Sequence, residues 1–254
     1  MRTALRTALT LLLAALAIAA PGAAIAASER STHDCVRGNE LWFRTADRIQ
    51  LVGHRFGGPR PGTRPAVVLA HQSNGSLCEW LPTARWLAGR GIWVFAFDFR
   101  GHGSSKGRVQ YGRLGTDYAA AVKTVRSLGA KKVVLAGASL GGIAAVIAGA
   151  SVTPPVDGVA ALSAPAVIAG RVDARPFVPR LAVPVLYVAA REDRYPPYDF
   201  AADAQRLYDA TPGTAKRVEL VAGSAHGVAL PAGSPAIRAL LEQFVRDPGA
   251  TVAG

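Results

Sequence analysis

Five stretches of the chain are apolar at every position or nearly so, and they constrain its fold more than any other feature. They are Ala66 to Ala70, Ile92 to Phe97, Val133 to Ala136, Val159 to Leu162 and, apart from Pro184, Val183 to Ala190. A strand with one wet face alternates polar and apolar residues, whereas a strand apolar throughout is covered on both faces, which is the mark of a parallel sheet. Helical stretches lie between and beyond these runs: Leu81 to Ala88, Asp117 to Leu128, Leu140 to Ala150, Phe200 to Tyr208 and Ile237 to Val245. Within Asp117 to Leu128 the spacing puts Tyr118, Ala121, Val122 and Val125 on one face. Strands alternating with helices imply βαβ units with right-handed crossovers. Leu41 to Thr45 and Ile49 to Phe56 read as an antiparallel hairpin ahead of them, and Val218 to Val221 as a last strand. The expectation is one α/β domain of about eight mostly parallel strands flanked by helices, with half of the 254 residues hydrophobic and ample for a core.

The first 26 residues stand apart from this pattern. Arg2 and Arg6 precede an apolar run from Leu9 to Ala20, interrupted only by Thr10, and Pro21-Gly22 then leads to Ala24-Ile25-Ala26. That order predicts a secretory signal peptide cleaved after Ala26, leaving a domain at 27–254. The run falls short of the roughly 20 residues of a comfortable membrane span, so no stable insertion is expected after cleavage; an uncleaved anchor is the other reading. Removing Arg2 and Arg6 lowers the formal charge of +12 by two. The remaining cations are scattered, without the aromatic interleaving of a single-strand groove, so nucleic acid is not expected as a partner. In the oxidising compartments that such a signal reaches, periplasm or medium, the two cysteines, Cys35 and Cys78, suggest one disulfide; two buried thiols are the alternative.

The chemistry is concentrated at Lys132 to Gly142, where an apolar strand runs straight into Gly137-Ala138-Ser139-Leu140-Gly141 and a helix follows. A strand-to-helix turn this sharp strains the serine backbone, and side chains at its neighbours would collide, so Gly137 and Gly141 are favoured by sterics. Ser139 is thereby lifted above the strand ends, where the helix N-terminus offers free N–H groups to a developing negative charge.

With strand and helix around it, this motif resembles the nucleophile turn of the α/β-hydrolase family. The resemblance spans about residues 40 to 246 and implies a Ser–acid–His order along the chain. Asp193, in Arg191-Glu192-Asp193-Arg194 after the strand ending at Ala190, matches the family's acid position, with Glu192 as fallback. The other place where family members carry the acid is the end of the previous strand, which here reads Ser163-Ala164-Pro165 and has no carboxylate. His226, in Gly223-Ser224-Ala225-His226-Gly227, matches the histidine loop after the last strand. The implied oxyanion hole combines the N–H of Leu140 with that of Ser73, or next Gln72, in His71-Gln72-Ser73-Asn74-Gly75; the family's usual His-Gly is His71-Gln72 here. Asp98-Phe99-Arg100-Gly101-His102-Gly103 matches a structural motif of the family, in which Asp98 and Arg100 can pair near the nucleophile loop. His71 and His102 lack a third ligand at suitable spacing, and the implied chemistry needs neither metal nor organic cofactor.

Only about 20 residues, Ser163 to Ala182, are available where many relatives insert a helical cap, enough for one short helix or a loop. A minimal lid of this kind favours accessible small-molecule acyl esters. Arg171, Arg175 and Arg180 in the segment either pair with a substrate carboxylate or are solvated charge. The reading is an exported carboxylesterase working through an acyl-enzyme. An exopeptidase or amidase and an acyltransferase are alternatives on the same scaffold, and a non-catalytic binding relative is the alternative of another class.

Overall fold

The apolar runs form the strands expected of them. The computed structural model describes residues 35–36 and 40–252, within the compact unit Ser31–Gly254; the predicted signal peptide lies outside the described residues. The strands are β1 (Glu40–Arg44), β2 (Gln50–Phe56), β3 (Ala66–Ala70), β4 (Trp93–Phe97), β5 (Val133–Ala138), β6 (Gly158–Leu162), β7 (Val185–Ala190) and β8 (Lys216–Val221). They make one eight-stranded sheet in the order β1-β2-β4-β3-β5-β6-β7-β8. β2 pairs antiparallel with β1 and with β4, and every pairing from β4 to β8 is parallel.

The helices are α1 (Leu81–Gly89), α2 (Leu114–Ser127), α3 (Leu140–Gly149), α4 (Phe200–Ala210), α5 (Ala229–Gly233), α6 (Pro235–Arg246) and α7 (Pro248–Val252). Alternate side chains of each inner strand go to opposite faces. Val68, Phe95, Leu135, Val159 and Tyr187 pack with α2, α3 and α4. Val67, Val94, Val134, Ala160 and Leu186 pack with α1 and α6 on the other face. This explains why the five runs lack polar positions. The predicted face of α2 is the buried one, and Tyr118 anchors it by donating its hydroxyl to the Val68 and Ala136 carbonyls, both at 2.9 Å. Short elements α5 and α7 were not anticipated, because five residues give no periodicity to detect.

The segment 163–182 has no helical cap. It holds a two-residue antiparallel ladder, Val167–Ile168 with Val172–Asp173, and a single 3-10 turn at Val178–Arg180. A disulfide joins Cys35 to Cys78, tying the chain ahead of β1 to the turn that leads into α1. No helix among the described residues is long and apolar enough to cross a membrane.

Candidate active site

Six loops leave the carboxyl ends of β3 to β8, the edge where open α/β sheets bind their ligands. At the end of β5 the chain turns at Ser139, whose backbone sits at φ 50°, ψ −111° and starts α3. A Cβ on Gly137 would land on the Gly141 carbonyl, and one on Gly141 would land on the Ala70 carbonyl at the end of β3. Both glycines are therefore required by close backbone approach, as the sequence predicts. The Ser139 N–H is fixed by the Leu162 carbonyl at 2.8 Å, which ties the turn to β6.

The acid and histidine loops meet beside this turn. Asp193 is buried and accepts from His226 Nδ1 through Oδ1 at 2.9 Å and Oδ2 at 3.0 Å. That hydrogen bond commits Nδ1 as the protonated nitrogen and leaves Nε2 for another partner. The Phe200 ring lies 4.4 Å from the imidazole, centre to centre, and limits its rotation. Glu192 is exposed and engages the histidine loop only through its N–H, on the Gly223 carbonyl at 3.0 Å.

A cavity of about 480 Å³ brings Ser73, Ser139, Asp193 and His226 together, with Pro165, Ile168, Tyr195, Tyr198 and Phe200 supplying apolar wall. The Ser139 hydroxyl makes no hydrogen bond to a described residue, so the Asp193–His226 contact is formed and the Ser139–His226 contact is open. Contacts of this kind commonly tighten only around a bound substrate.

Two braces, one buried and one half-buried, were invisible in the sequence. Ser163 follows β6 with φ 47° and no solvent exposure. Its hydroxyl donates to Asp193 Oδ2 at 2.6 Å and accepts from the Gly227 N–H at 2.9 Å. That strand end carries a hydroxyl in place of a carboxylate, and its position next to the strand end that precedes Asp193 was the one available signal. Gln72, the departure from His-Gly, is the second brace. Its side-chain oxygen accepts from the Val228 N–H at 3.2 Å, and its own N–H donates to Glu79 Oε2 at 3.1 Å. The Gln72 N–H is thereby occupied, whereas Ser73 is exposed on the cavity wall.

The Asp98–Ser105 loop corrects one expectation. Asp98 and Arg100 do not pair. Asp98 accepts from the N–H groups of Leu77 and Ser104, at 2.8 and 3.0 Å. Arg100 points away to Asp117 on α2 and Asp47 in the β1–β2 turn, at 2.6 and 2.7 Å. The hydrogen bond from Arg100 holds the Asp47 carboxyl well below the usual carboxylate range. His71 has both ring nitrogens engaged, Nδ1 on the Gln72 carbonyl at 2.7 Å and Nε2 accepting from the Phe99 N–H at 3.1 Å. Among the described residues no cluster of three or more His, Cys, Asp or Glu could hold a metal ion.

The family model described as serine aminopeptidase, S33, matches residues 61–182, from the turn before β3 through the nucleophile to the end of the short lid. Among solved structures, the esterase Pf2001 of Pyrococcus furiosus superposes with a TM-score of 0.68 at 20% identity, covering 82% of this chain and 88% of its own. The chain has the α/β-hydrolase fold. An enol-lactonase from Burkholderia xenovorans LB400 gives a TM-score of 0.67 at 17% identity, over 82% of this chain and all of that one. An uncharacterized protein, YfhR of Escherichia coli K12, is 34% identical over 88 residues, 34% of this chain and 31% of the relative. The match thus spans about a third of that relative's length.

Proposed function

We propose that this chain is an exported serine esterase that cleaves carboxylic acyl esters through an acyl-enzyme. Ser139 attacks the acyl carbonyl, His226 Nε2 takes its proton and returns it to the leaving group, and Asp193 stabilises the imidazolium. The N–H groups of Leu140 and Ser73 hold the tetrahedral oxyanion, and water then releases the acid. The observation that carries the reading is the Asp193–His226 hydrogen bond in the same cavity as a strained Ser139 at a helix start. The occupied Gln72 N–H favours Ser73 as second donor. Export is supported by the order of residues 1–26 and by the disulfide, which persists in oxidising compartments.

The name of the matching family model brings aminopeptidase activity as a second reading. The cavity lining disfavours it. An aminopeptidase must bind a substrate ammonium, yet the one acid in this wall, Asp193, is committed to His226 and Ser163, and Arg171 and Arg194 line the same space. A panel of chromogenic esters and aminoacyl amides on the mature protein tests this. Ester turnover should fall about 10⁶-fold in Ser139→Ala, together with loss of fluorophosphonate labelling. Wild-type turnover in that variant, or preference for aminoacyl amides, ends the esterase reading.

A further inference from the structure

Of the three arginines in the short lid, Arg175 has an acid partner among the described residues, and only Arg171 lines the cavity. Arg175 forks onto Asp173, with Nη2 to Oδ2 at 2.7 Å, and Arg180 lies over the Phe177 ring at 5.6 Å. Neither lines the cavity. Arg171 does, presented at the turn of the two-residue ladder by its N–H on the Ile168 carbonyl at 2.9 Å. Its Nη1 donates to the Tyr111 hydroxyl at 2.8 Å, and the guanidinium carbon stands 4.9 Å from that ring's centre. A phenol orients the guanidinium without cancelling its charge. Arg194, the other cation of the wall, is paired with Asp199 at 3.0 Å. The cavity therefore combines an apolar wall with one fixed cation that has no acid partner among the described residues.

We propose that Arg171 binds a carboxylate on the substrate, so that the preferred esters are anionic, with an apolar body between carboxylate and scissile bond. A guanidinium with one nitrogen held still presents further N–H donors that match a carboxylate as a fork. The reaction rests on the Ser139 reading, but the binding does not. Two pairs of esters test it: p-nitrophenyl hydrogen glutarate against p-nitrophenyl valerate, and 4-acetoxybenzoate against phenyl acetate. Within at least one pair, Arg171→Ala should reduce the anionic-to-neutral ratio of kcat/KM by about 10- to 100-fold, the size of a lost charged hydrogen bond. The responding pair tells whether the carboxylate belongs to the acyl or the leaving group. Unchanged ratios in both pairs overturn the proposal. Calorimetry with benzoate and benzamide on Ser139→Ala protein decides the binding without turnover. Benzoate should bind more tightly than benzamide, and Arg171→Ala should abolish the difference. If no ester is hydrolysed, the esterase reading fails while the benzoate result still decides Arg171; equal binding of the two ligands overturns it.

A separate observation assigns Ser163 as a positioning residue. Its one hydroxyl bridges the Asp193 carboxylate and the Gly227 N–H, so it sets acid and histidine loop relative to each other. Ser163→Gly suits the left-handed backbone and deletes the hydroxymethyl group that makes the bridge. For a neutral ester, kcat should fall about 10- to 100-fold with KM unchanged, fluorophosphonate labelling should slow, and the Tm should hold. Wild-type kcat overturns the assignment, and so does a kcat loss matched by loss of folded protein.

Discussion

Ser139 and His226 open onto one cavity, yet the chain holds them in place by different means. The serine turn is set by backbone crowding: Gly137 against Gly141, Gly141 against Ala70, and an N–H bonded to Leu162. The histidine turn is set by side chains from elsewhere: Ser163 on the Gly227 N–H, Gln72 on the Val228 N–H and Asp193 on the imidazole. Gln72 and Val228 are 156 residues apart. Steric fixing leaves a short, rigid residue pattern, whereas hydrogen-bonded bracing leaves single polar residues scattered along the chain. The first kind also tolerates no adjustment, while the second degrades one bond at a time.

The largest effect should therefore come from the crowded side. Gly137→Ala drives a Cβ into the Gly141 carbonyl, which is backbone and cannot rotate away. The expected cost is about 4 kcal/mol or more, in the range of severe single substitutions, read from urea unfolding. Loss below about 1 kcal/mol would break the comparison, since the turn would then be as adjustable as its neighbour.

Legibility followed the same division. Strand positions and the covered faces were readable because burial on both sides leaves unbroken apolar runs such as Val133 to Ala136. Gly137 and Gly141 were readable because the steric demand lies within five residues. Ser163 and Gln72 were not, because a serine or glutamine gains its meaning only when the loops after β6, β3 and β8 are brought together. The expected Asp98–Arg100 pair failed for a related reason. Neighbours two apart in a turn point different ways, and Arg100 found its carboxylates on α2 and in the β1–β2 turn.

Arg100 sharpens the contrast, being braced by hydrogen bonds like His226 but buried like the serine turn. Asp117 is fully buried against it. Arg100→Ala strands that carboxylate and should cost about 3 kcal/mol, as breaking a buried pair does. The network also sets a pH dependence. Asp47 is held below its unfolded value by the hydrogen bond from Arg100, so its contribution is present above the unfolded carboxylate range, about pH 4. It is lost as the pH falls through the lower folded value. Acid unfolding of Asp47→Asn should show a shallower decline than wild type below about pH 4; parallel curves would remove the ion pair from the account.

The smallest effect, and the most diagnostic of bracing, belongs to Gln72. Gln72→Ala leaves the Val228 N–H without its acceptor and should cost about 1 kcal/mol, with kcat lowered more than KM because the His226 turn loosens. Gly227 supplies the control. Its φ is 53°, and a Cβ there would land on the Gln72 side-chain oxygen. Gly227→Ala alone therefore carries two penalties, backbone conformation and collision. In a Gln72→Ala background the collision with that oxygen disappears, and the backbone penalty and a tight contact with the Ala138 Cβ remain. The double mutant should be more stable than the sum of the single changes implies, by about 0.5–3 kcal/mol for residues in contact. Strict additivity would mean that Gln72 does not hold the histidine turn, and that the two sides of the cavity are fixed in the same way after all.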